Sequence, residues 1–327
     1  MKTRKISPSL ALSLALAGIA PSANVQAQAY PERPVRMVVP FPPGGNTDFV
    51  GRLMASKLTS SMGQSVLIDN RPGANTIIGA EVVARSNPDG YTLMFAGITT
   101  LAVNPAVYKK LPYNVARDFA PVAKVCENAF VVSVRAGFAP KTVQELMSYA
   151  KANPGKVTYA STGEGSPAHF GGVMLEMLGG ISLTHVPYKG NTPVINDMLG
   201  ERVDINITGL PSIQGLVDAK KIRLLAYAGS KRSAAFPDLP TVAESGMTGY
   251  WSGSWFSVIT KSGTPRPVIM KLNQEVNRAL QDDDTRKQLA ASDYEITGGT
   301  PEDLAKLIAS ETPRWAKLAQ LGKISYD

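Results

Sequence analysis

Short apolar runs and amphipathic stretches alternate along the chain from residue 35 onward. The run Val35–Val39 is rich in β-branched residues, which is typical of a buried strand, and apolar residues between 49 and 58 then recur at helical spacing. Further strand-like runs cover 66–70, 91–96, 120–125, 130–134, 157–160, 183–189, 203–209, 222–228 and 255–259, and helical spacing covers 78–85, 142–152, 167–178, 268–280, 285–291 and 301–321. Repeated strand–helix–strand units of these lengths predict parallel sheets covered by helices, an α/β fold.

The first predicted strand and helix are joined by residues 40–48, Pro-Phe-Pro-Pro-Gly-Gly-Asn-Thr-Asp, here named the first glycine loop. Its prolines remove backbone donors, and Gly44 and Gly45 let a ligand come close to bare backbone. The first amides of the following helix have no partner within the helix, and the macrodipole adds partial positive charge there. Such a helix start binds carboxylate or phosphate groups. A turn without a ligand is the alternative interpretation of a lone Gly-Gly pair.

A second loop of the same kind favours the binding interpretation. Residues 161–167, Ser-Thr-Gly-Glu-Gly-Ser-Pro, lie between a predicted strand and a predicted helix and are named the second glycine loop. Pro167 suits a first helical position, and Ser161, Thr162 and Ser166 add hydroxyl groups. The spacing is close to a dinucleotide-binding motif, but the acid expected at the end of the next strand is missing. We therefore expect an anion site here and not a dinucleotide site.

Residues 1–29 have the features of a secretory signal peptide. A basic start is followed by a short apolar core at 10–17 and then by Ala-Gln-Ala, which has the small-x-small form of a cleavage site. The apolar core is too short to span a bilayer. We expect cleavage after Ala29 and a soluble protein outside the cytoplasm.

Composition and chemistry narrow the function further. Without residues 1–29 the net charge falls from +8 to +5, and the basic residues are scattered among acids, which argues against nucleic-acid binding. Cys126 is the single cysteine, so no intrachain disulfide is possible, and we predict that its side chain is buried as a small hydrophobic group. Motifs for nucleophile elbows, zinc proteases and P-loops are absent from the sequence. We therefore expect that the protein is not an enzyme and binds neither a metal ion nor a cofactor.

Two histidines and one acid remain as candidates. His185 lies within a predicted strand, where a core histidine is expected, whereas His169 is close to the second glycine loop and is a candidate for lining a cleft. Asp48 has the position of a general base, but an acid in the first turn of a helix is more often stabilised by the helix dipole.

Motifs along the whole chain after residue 29 resemble the Bug family, the TctC-like extracytoplasmic solute receptors of tripartite tricarboxylate transporters. The motifs that carry the resemblance, in the order of the family, are Tyr-Pro-x-Arg-Pro-Val at 30–35, Val-Pro-Phe-Pro-Pro-Gly-Gly-x-x-Asp at 39–48, Asn-Arg-Pro-Gly-Ala at 70–74, Asn-Pro-Asp-Gly-Tyr-Thr-Leu at 87–93, His-Val-Pro-Tyr-Lys-Gly at 185–190, Phe-Pro-Asp-Leu-Pro-Thr-Val-Ala-Glu-Ser-Gly at 236–246 and Gly-Gly-Thr-Pro-Glu at 298–302.

The resemblance implies a type II periplasmic binding protein, in which two α/β lobes are joined by two crossover segments and hold the ligand in the cleft between them. Residues 30–128 and 258–327 would form the first lobe, and residues 129–257 the second. The family generally holds a ligand carboxylate with both glycine loops, through backbone amides, hydroxyl groups and water.

Carried over to this sequence, the resemblance implies a set of ligand-binding residues. From the first lobe these are Phe41, Gly44, Gly45, Asn46, Thr47 and Asp48, and from the second Ser161, Thr162, Gly163, Gly165, Ser166, Lys189 and Asp204. The chain itself adds Thr99 and Thr100, which follow a strand at the edge where ligands collect in open sheets, His169, which is close to the second glycine loop, and Thr208. Lys189 and Asp204 match family motifs, and either residue has bracing of the cleft as its alternative role. Where many members carry an acid or amide, this chain has Thr208 and Gly209, which leaves the identity of the ligand open.

The function that follows is capture of a small mono-, di- or tricarboxylate, aromatic ones included, by a monomeric periplasmic receptor. Its partners would be the membrane permease subunits of a tripartite tricarboxylate-type transporter. A receptor that serves a sensor kinase is the alternative within the same class. A secreted α/β hydrolase is the alternative from another class, and the missing nucleophile elbow argues against it.

Overall fold

The computed structural model describes residues 30–233, 235–322 and 324–327; the predicted signal peptide lies outside them. The strands are β1 Val35–Val39, β2 Val66–Asn70, β3 Thr92–Gly97, β4 Phe119–Ala129, β5 Val131–Arg135, β6 Thr158–Ser161, β7 Thr184–Pro187, β8 Ile205–Thr208, β9 Ile222–Tyr227, β10 Gly253–Lys261 and β11 Glu295–Ile296. The α-helices are α1 Asn46–Met62, α2 Ile77–Ala84, α3 Asn104–Val107, α4 Val115–Asp118, α5 Val143–Ala152, α6 Pro167–Gly179, α7 Asn191–Leu199, α8 Gln214–Asp218, α9 Arg266–Gln281, α10 Asp283–Ala291 and α11 Pro301–Leu321.

Two mixed sheets organise these elements. The six-stranded sheet has the order β11-β4-β10-β3-β1-β2, and the five-stranded sheet has the order β7-β6-β8-β5-β9. The α/β prediction is confirmed. The expectation of purely parallel sheets was wrong, because β10 runs antiparallel to β3 and β4, and β5 runs antiparallel to β8 and β9.

The chain passes between the two sheets twice, at neighbouring points. β4 and β5 are separated by one residue, Phe130, whose amide donates to the carbonyl of Ser252 just before β10. β10 joins the six-stranded sheet from Gly253 on. The sheets therefore change over at residues 130 and 252. We call the part built on the six-stranded sheet lobe 1 and the part built on the five-stranded sheet lobe 2; the lobe boundaries implied by the resemblance, 128/129 and 257/258, stay a prediction.

Helix starts follow the sequence signals closely. Thr142 caps α5 by accepting a hydrogen bond from the amide of Glu145 at 3.1 Å. The Glu145 carboxylate reaches one residue further back than a capping box requires and accepts from the amide of Lys141 at 2.7 Å. Pro167 is the first residue of α6, as predicted.

Separate apolar cores lie under the two sheets, and one element of lobe 2 reaches the core of lobe 1. Phe170, on α6, belongs to the lobe 1 cluster and meets Trp315 of α11 edge to face, with ring centroids 5.0 Å apart. Cys126 is fully buried, as predicted, and burial raises the pKa of its thiol. Among the described residues no helix combines the length and apolar character that a membrane span requires.

Candidate binding site

Asp48 fixes the shape of the first glycine loop. Its carboxylate accepts hydrogen bonds from the amide of Gly44 at 2.9 Å, from Arg52 Nε at 2.8 Å and from Asn70 Nδ2 at 2.8 Å. Burial opposes ionisation, but these donors outweigh it and lower the pKa of Asp48. Gly44 has φ +84°, which favours glycine. Asp48 therefore holds the loop from behind and remains ionised.

The first turn of α1 keeps free donors. Gly45 is its N-cap, and no side chain caps the turn. The amides of Asn46 and Thr47 donate to no acceptor within residues 30–233, 235–322 and 324–327. Donors at the start of a 17-residue helix are suited to a negatively charged group.

Two further helix starts meet α1 at a cavity of about 100 Å³ between the lobes. Ala168 from the first turn of α6 and Asn191 and Thr192 from the first turn of α7 line it, beside Asn46 and Thr47. Throughout the described part of the chain, no charged side chain lines this cavity. The positive charge that this cavity offers to a ligand is therefore the partial charge of the helix starts. The full lining is Phe41, Pro42, Pro43, Gly45, Asn46, Thr47, Gly97, Thr99, Phe130, Thr162, Pro167, Ala168, Gly190, Asn191, Thr192, Pro193, Ile207, Thr208, Ser254 and Phe256.

In the second glycine loop, the amides of both glycines are used internally. The amide of Gly163 donates to Ser161 Oγ at 3.2 Å, and the amide of Gly165 donates to His169 Nδ1 at 3.0 Å. Ser166 Oγ accepts from the amide of His169 and so caps α6. Of this loop, only Thr162 and Pro167 line the cavity.

Two stacked histidines contact the second glycine loop through hydrogen bonds. The rings of His169 and His185 lie 3.9 Å apart and 4° from parallel, and His185 Nε2 is 2.7 Å from Ser161 Oγ. Burial lowers the pKa of His169 to about 3, with a contribution from His185, and burial lowers the pKa of His185 to about 4. Both rings are therefore neutral at pH 7. The expectation of a core histidine at 185 was wrong, because His185 is half-buried on the edge strand β7. His169 is the buried ring of the pair and lies outside the cavity lining.

Lobe 1 packs directly on the second glycine loop. A Cβ built on Gly165 would meet the Tyr326 ring at 3.2 Å and Val107 at 3.3 Å, and Gly165 has φ +70°. Tyr326 is anchored on lobe 1 by backbone hydrogen bonds to Val107 and Lys109. The missing side chain at Gly165 thus permits close contact between the lobes.

Other predicted residues also have structural partners away from the cavity. Thr100 Oγ1 donates to Thr76 Oγ1 at 2.9 Å. Lys189 lies with Gly163 at a neighbouring opening on the far side of the first glycine loop. Asp204 precedes β8, at the opposite end from Thr208, and pairs with Arg135 Nε at 2.9 Å.

The structure thus brings part of the predicted set together. Phe41, Gly45, Asn46, Thr47, Thr99, Thr162 and Thr208 line the cavity, whereas Gly44, Asp48, Thr100, Ser161, Gly163, Gly165, Ser166, His169, Lys189 and Asp204 do not. That any of these residues contacts ligand stays a prediction.

Sequence reasoning missed the start of α7. Residues 190–193, Gly-Asn-Thr-Pro, carry the signal of a helix start with proline in its first turn. The apolar pattern predicts a strand over 183–189 and no helix over 191–199. The apolar walls Phe130, Ile207 and Phe256 were also missed, since a strand residue facing a cleft has the same sequence pattern as one facing a core.

Comparisons with known proteins identify related receptors. The family profile described as "Tripartite tricarboxylate transporter family receptor" (TctC) matches residues 50–323. Protein BugT of Bordetella pertussis is 36% identical over 308 residues, covering 94% of both chains. A structure from R. palustris solved with adipate has a TM-score of 0.88 at 36% identity, covering 91% of this chain and 100% of that one. MatC from Rhodopseudomonas palustris with bound malate has a TM-score of 0.83 at 32% identity, covering 88% and 99%.

Proposed function

This chain belongs to the tripartite tricarboxylate transporter receptor family, and we propose that it captures a small carboxylate in the cavity between its lobes for delivery to a membrane transporter. Members of the family are periplasmic solute-binding proteins. The ligand class proposed for this chain rests on the cavity itself and on the related structures that hold adipate and malate.

The observation that carries the proposal is the meeting of the α1, α6 and α7 starts around one cavity without charged side chains. A carboxylate loses its hydration shell on entry and needs replacement donors. The free amides of Asn46, Thr47 and Thr192 supply them at fixed positions. A cationic ligand would face the positive ends of these helices and would be disfavoured.

The ligand's remaining atoms would lie against apolar walls. Phe41, Phe130 and Phe256 line the cavity together with several prolines. These apolar walls favour an acid with a hydrocarbon body, because they bury its apolar surface.

The place and partner of the protein complete the proposal. Residues 1–29 would be removed as a signal peptide after Ala29, and the protein would work in the periplasm as a monomer. The permease subunits of a tripartite tricarboxylate-type transporter would receive the ligand. We propose no catalytic role.

Native mass spectrometry of the protein purified from its own cells tests the proposal. We expect a 1:1 complex that releases a small carboxylic acid on collisional activation. An amine, a metal ion or a peptide released in its place would contradict the carboxylate assignment.

A further inference from the structure

Four residues from different parts of the chain form a polar corner at the crossover side of the cavity. They are Asn46 at the start of α1, Asn128 near the end of β4, Gly209 after β8, and Ser254 in β10. We call this corner the Gly209 niche. Asn46 and Ser254 also line the cavity.

Sheet register places the Asn128 side chain on the cavity side. Asn128 lies directly opposite Ser254 in the antiparallel pair β4–β10, and residues directly opposite each other point to the same face. Ser254 and Phe256 alternate with Trp255, and both line the cavity, whereas Trp255 does not. Asn128 therefore lies on the same face of the sheet, behind the cavity lining and at the edge of a neighbouring opening.

Asn128 is buried without protein partners. It is 5% exposed, and neither its Nδ2 nor its Oδ1 has a hydrogen-bond partner within the described residues. Asn46 Oδ1 is likewise buried and has no hydrogen-bond partner among the residues that the structure describes. Such atoms cost free energy unless another molecule satisfies them.

Gly209 creates the space into which both side chains point. A Cβ built on it would lie 2.4 Å from Asn46 Nδ2 and 2.7 Å from Asn128 Nδ2. The backbone of Gly209 has φ −66° and ψ 138°, which any residue adopts, so the glycine is needed for space and not for conformation. The two amides occupy the position where a larger residue at 209 would place its side chain.

We propose that the Gly209 niche is a second polar subsite, and that Asn128 is a specificity-determining residue for a ligand that carries another oxygen-bearing group besides its first carboxylate. The niche offers amide donors and acceptors without net charge, so it can hydrogen-bond a hydroxyl or a carboxylate oxygen of the ligand. A ligand that ends in a methyl group would leave the niche amides without hydrogen-bond partners. This inference rests on the proposed function and narrows its substrate class to bifunctional acids.

Calorimetric titration of matched ligands tests the subsite. Butyrate, 4-hydroxybutyrate and succinate share one chain length, and hexanoate, 6-hydroxyhexanoate and adipate form a longer set. In the wild type we expect the best bifunctional acid to bind at least about tenfold more tightly than the monocarboxylate of its set, which equals about 1.4 kcal/mol.

Asn128→Leu should remove this preference and leave the affinity for the monocarboxylate unchanged. Because the change also removes two unpartnered buried atoms, the melting temperature of the ligand-free variant should not fall. Should Asn128→Leu fail to fold, Gly209→Ala gives a second test, since its methyl group displaces the side-chain amides of Asn46 and Asn128. Gly215→Ala is the matched control, because a Cβ built there meets no atom within 4 Å.

The outcomes separate the two proposals. The subsite would be overturned if Asn128→Leu lost affinity equally for all ligands, or if the wild type did not prefer bifunctional acids. The receptor function would stand in both cases. Failure of every carboxylate to bind the wild type would overturn the proposed function and the subsite with it.

Discussion

The stacked pair His169 and His185 makes stability depend on pH. Both rings are neutral in the folded protein, with pKa values lowered by burial to about 3 and about 4, whereas an unfolded histidine has a pKa of about 6.5. Between these values the unfolded chain binds more protons than the native one. The contribution to stability is complete above about pH 6.5 and is lost as the pH falls toward 4.

We expect the free energy of unfolding to fall by up to about 1.4 kcal/mol per pH unit for each proton taken up, between pH 6 and pH 4. His169→Asn keeps an acceptor for the amide of Gly165 and removes one titrating group, so its curve should be flatter. Urea unfolding at several pH values measures both slopes. Parallel curves for the wild type and the variant would contradict the account.

Gly165 should be intolerant of side chains for a reason unrelated to ligand contact. Its amide donates a hydrogen bond to His169, and its φ of +70° is unfavourable for residues other than glycine. A Cβ built on Gly165 would lie 3.2 Å from the Tyr326 ring. We expect Gly165→Ala to cost about 1–3 kcal/mol in stability through strain and to weaken binding by holding the lobes apart. Gly63→Ala is the control, since Gly63 has nearly the same φ, +69°, and no atom lies within 4 Å of a Cβ built on it. Thermal unfolding and calorimetry of both variants decide the point; equal behaviour would remove the contact between the lobes from the explanation.

At the scale of elements, the starts of α5 and α6 could be predicted from the sequence, whereas the start of α7 was missed. Pro167 and Thr142 marked the starts of α6 and α5 because capping is a local interaction that the sequence states directly. The roles of the glycine loops were not equally readable. Whether an amide is free depends on contacts distant in sequence, and nothing near Gly165 in the sequence shows that Tyr326 lies against it.

Strand direction was also beyond local signals. Apolar runs identified β4, β5 and β10, but their antiparallel pairing follows from the chain crossing between lobes, which no short pattern records. Asn128 was missed for the same reason, since its unpartnered side chain is visible only once β4 and β10 are aligned.

The amide of Asn46, at the start of α1, can be removed without breaking the helix. Proline is favoured at a first helical position, and the extended Gly45 before it is compatible with proline. Asn46→Pro lacks both the side chain and the amide donor, whereas Asn46→Ala lacks only the side chain. We expect the proline variant to bind the carboxylate at least about tenfold more weakly than the alanine variant, because a hydrogen bond to a charged group contributes about 1.5–3 kcal/mol. Indistinguishable affinities by calorimetry would show that the amide does not contact the ligand.

At the scale of the whole molecule, the lobes meet at the second glycine loop and on the helix that follows it. Tyr326 contacts Gly165, and Phe170 of lobe 2 is buried against Trp315 of lobe 1. Residues of both lobes line the cavity, so we expect a ligand to enter as the lobes separate about the crossovers at 130 and 252.

We therefore expect small-angle scattering to give a smaller radius of gyration for the liganded protein than for the ligand-free one. A ligand that binds the closed form better than the open form shifts the population toward closure. Tyr326→Ala should keep the open radius over a wider range of ligand concentrations. An unchanged radius with a saturating ligand would mean that binding does not require closure.

The central claim is that bare helix starts bind the negative charge of a carboxylate, and calorimetric titration with paired ligands tests it most directly. Succinate and adipate are each compared with the corresponding diamide, which has nearly the same shape and no charge. We predict 1:1 binding of at least one diacid with an affinity at least about a hundredfold above that of its diamide, equal to about 2.7 kcal/mol. Equal affinities for acid and amide, or binding of the diamide alone, would contradict the account.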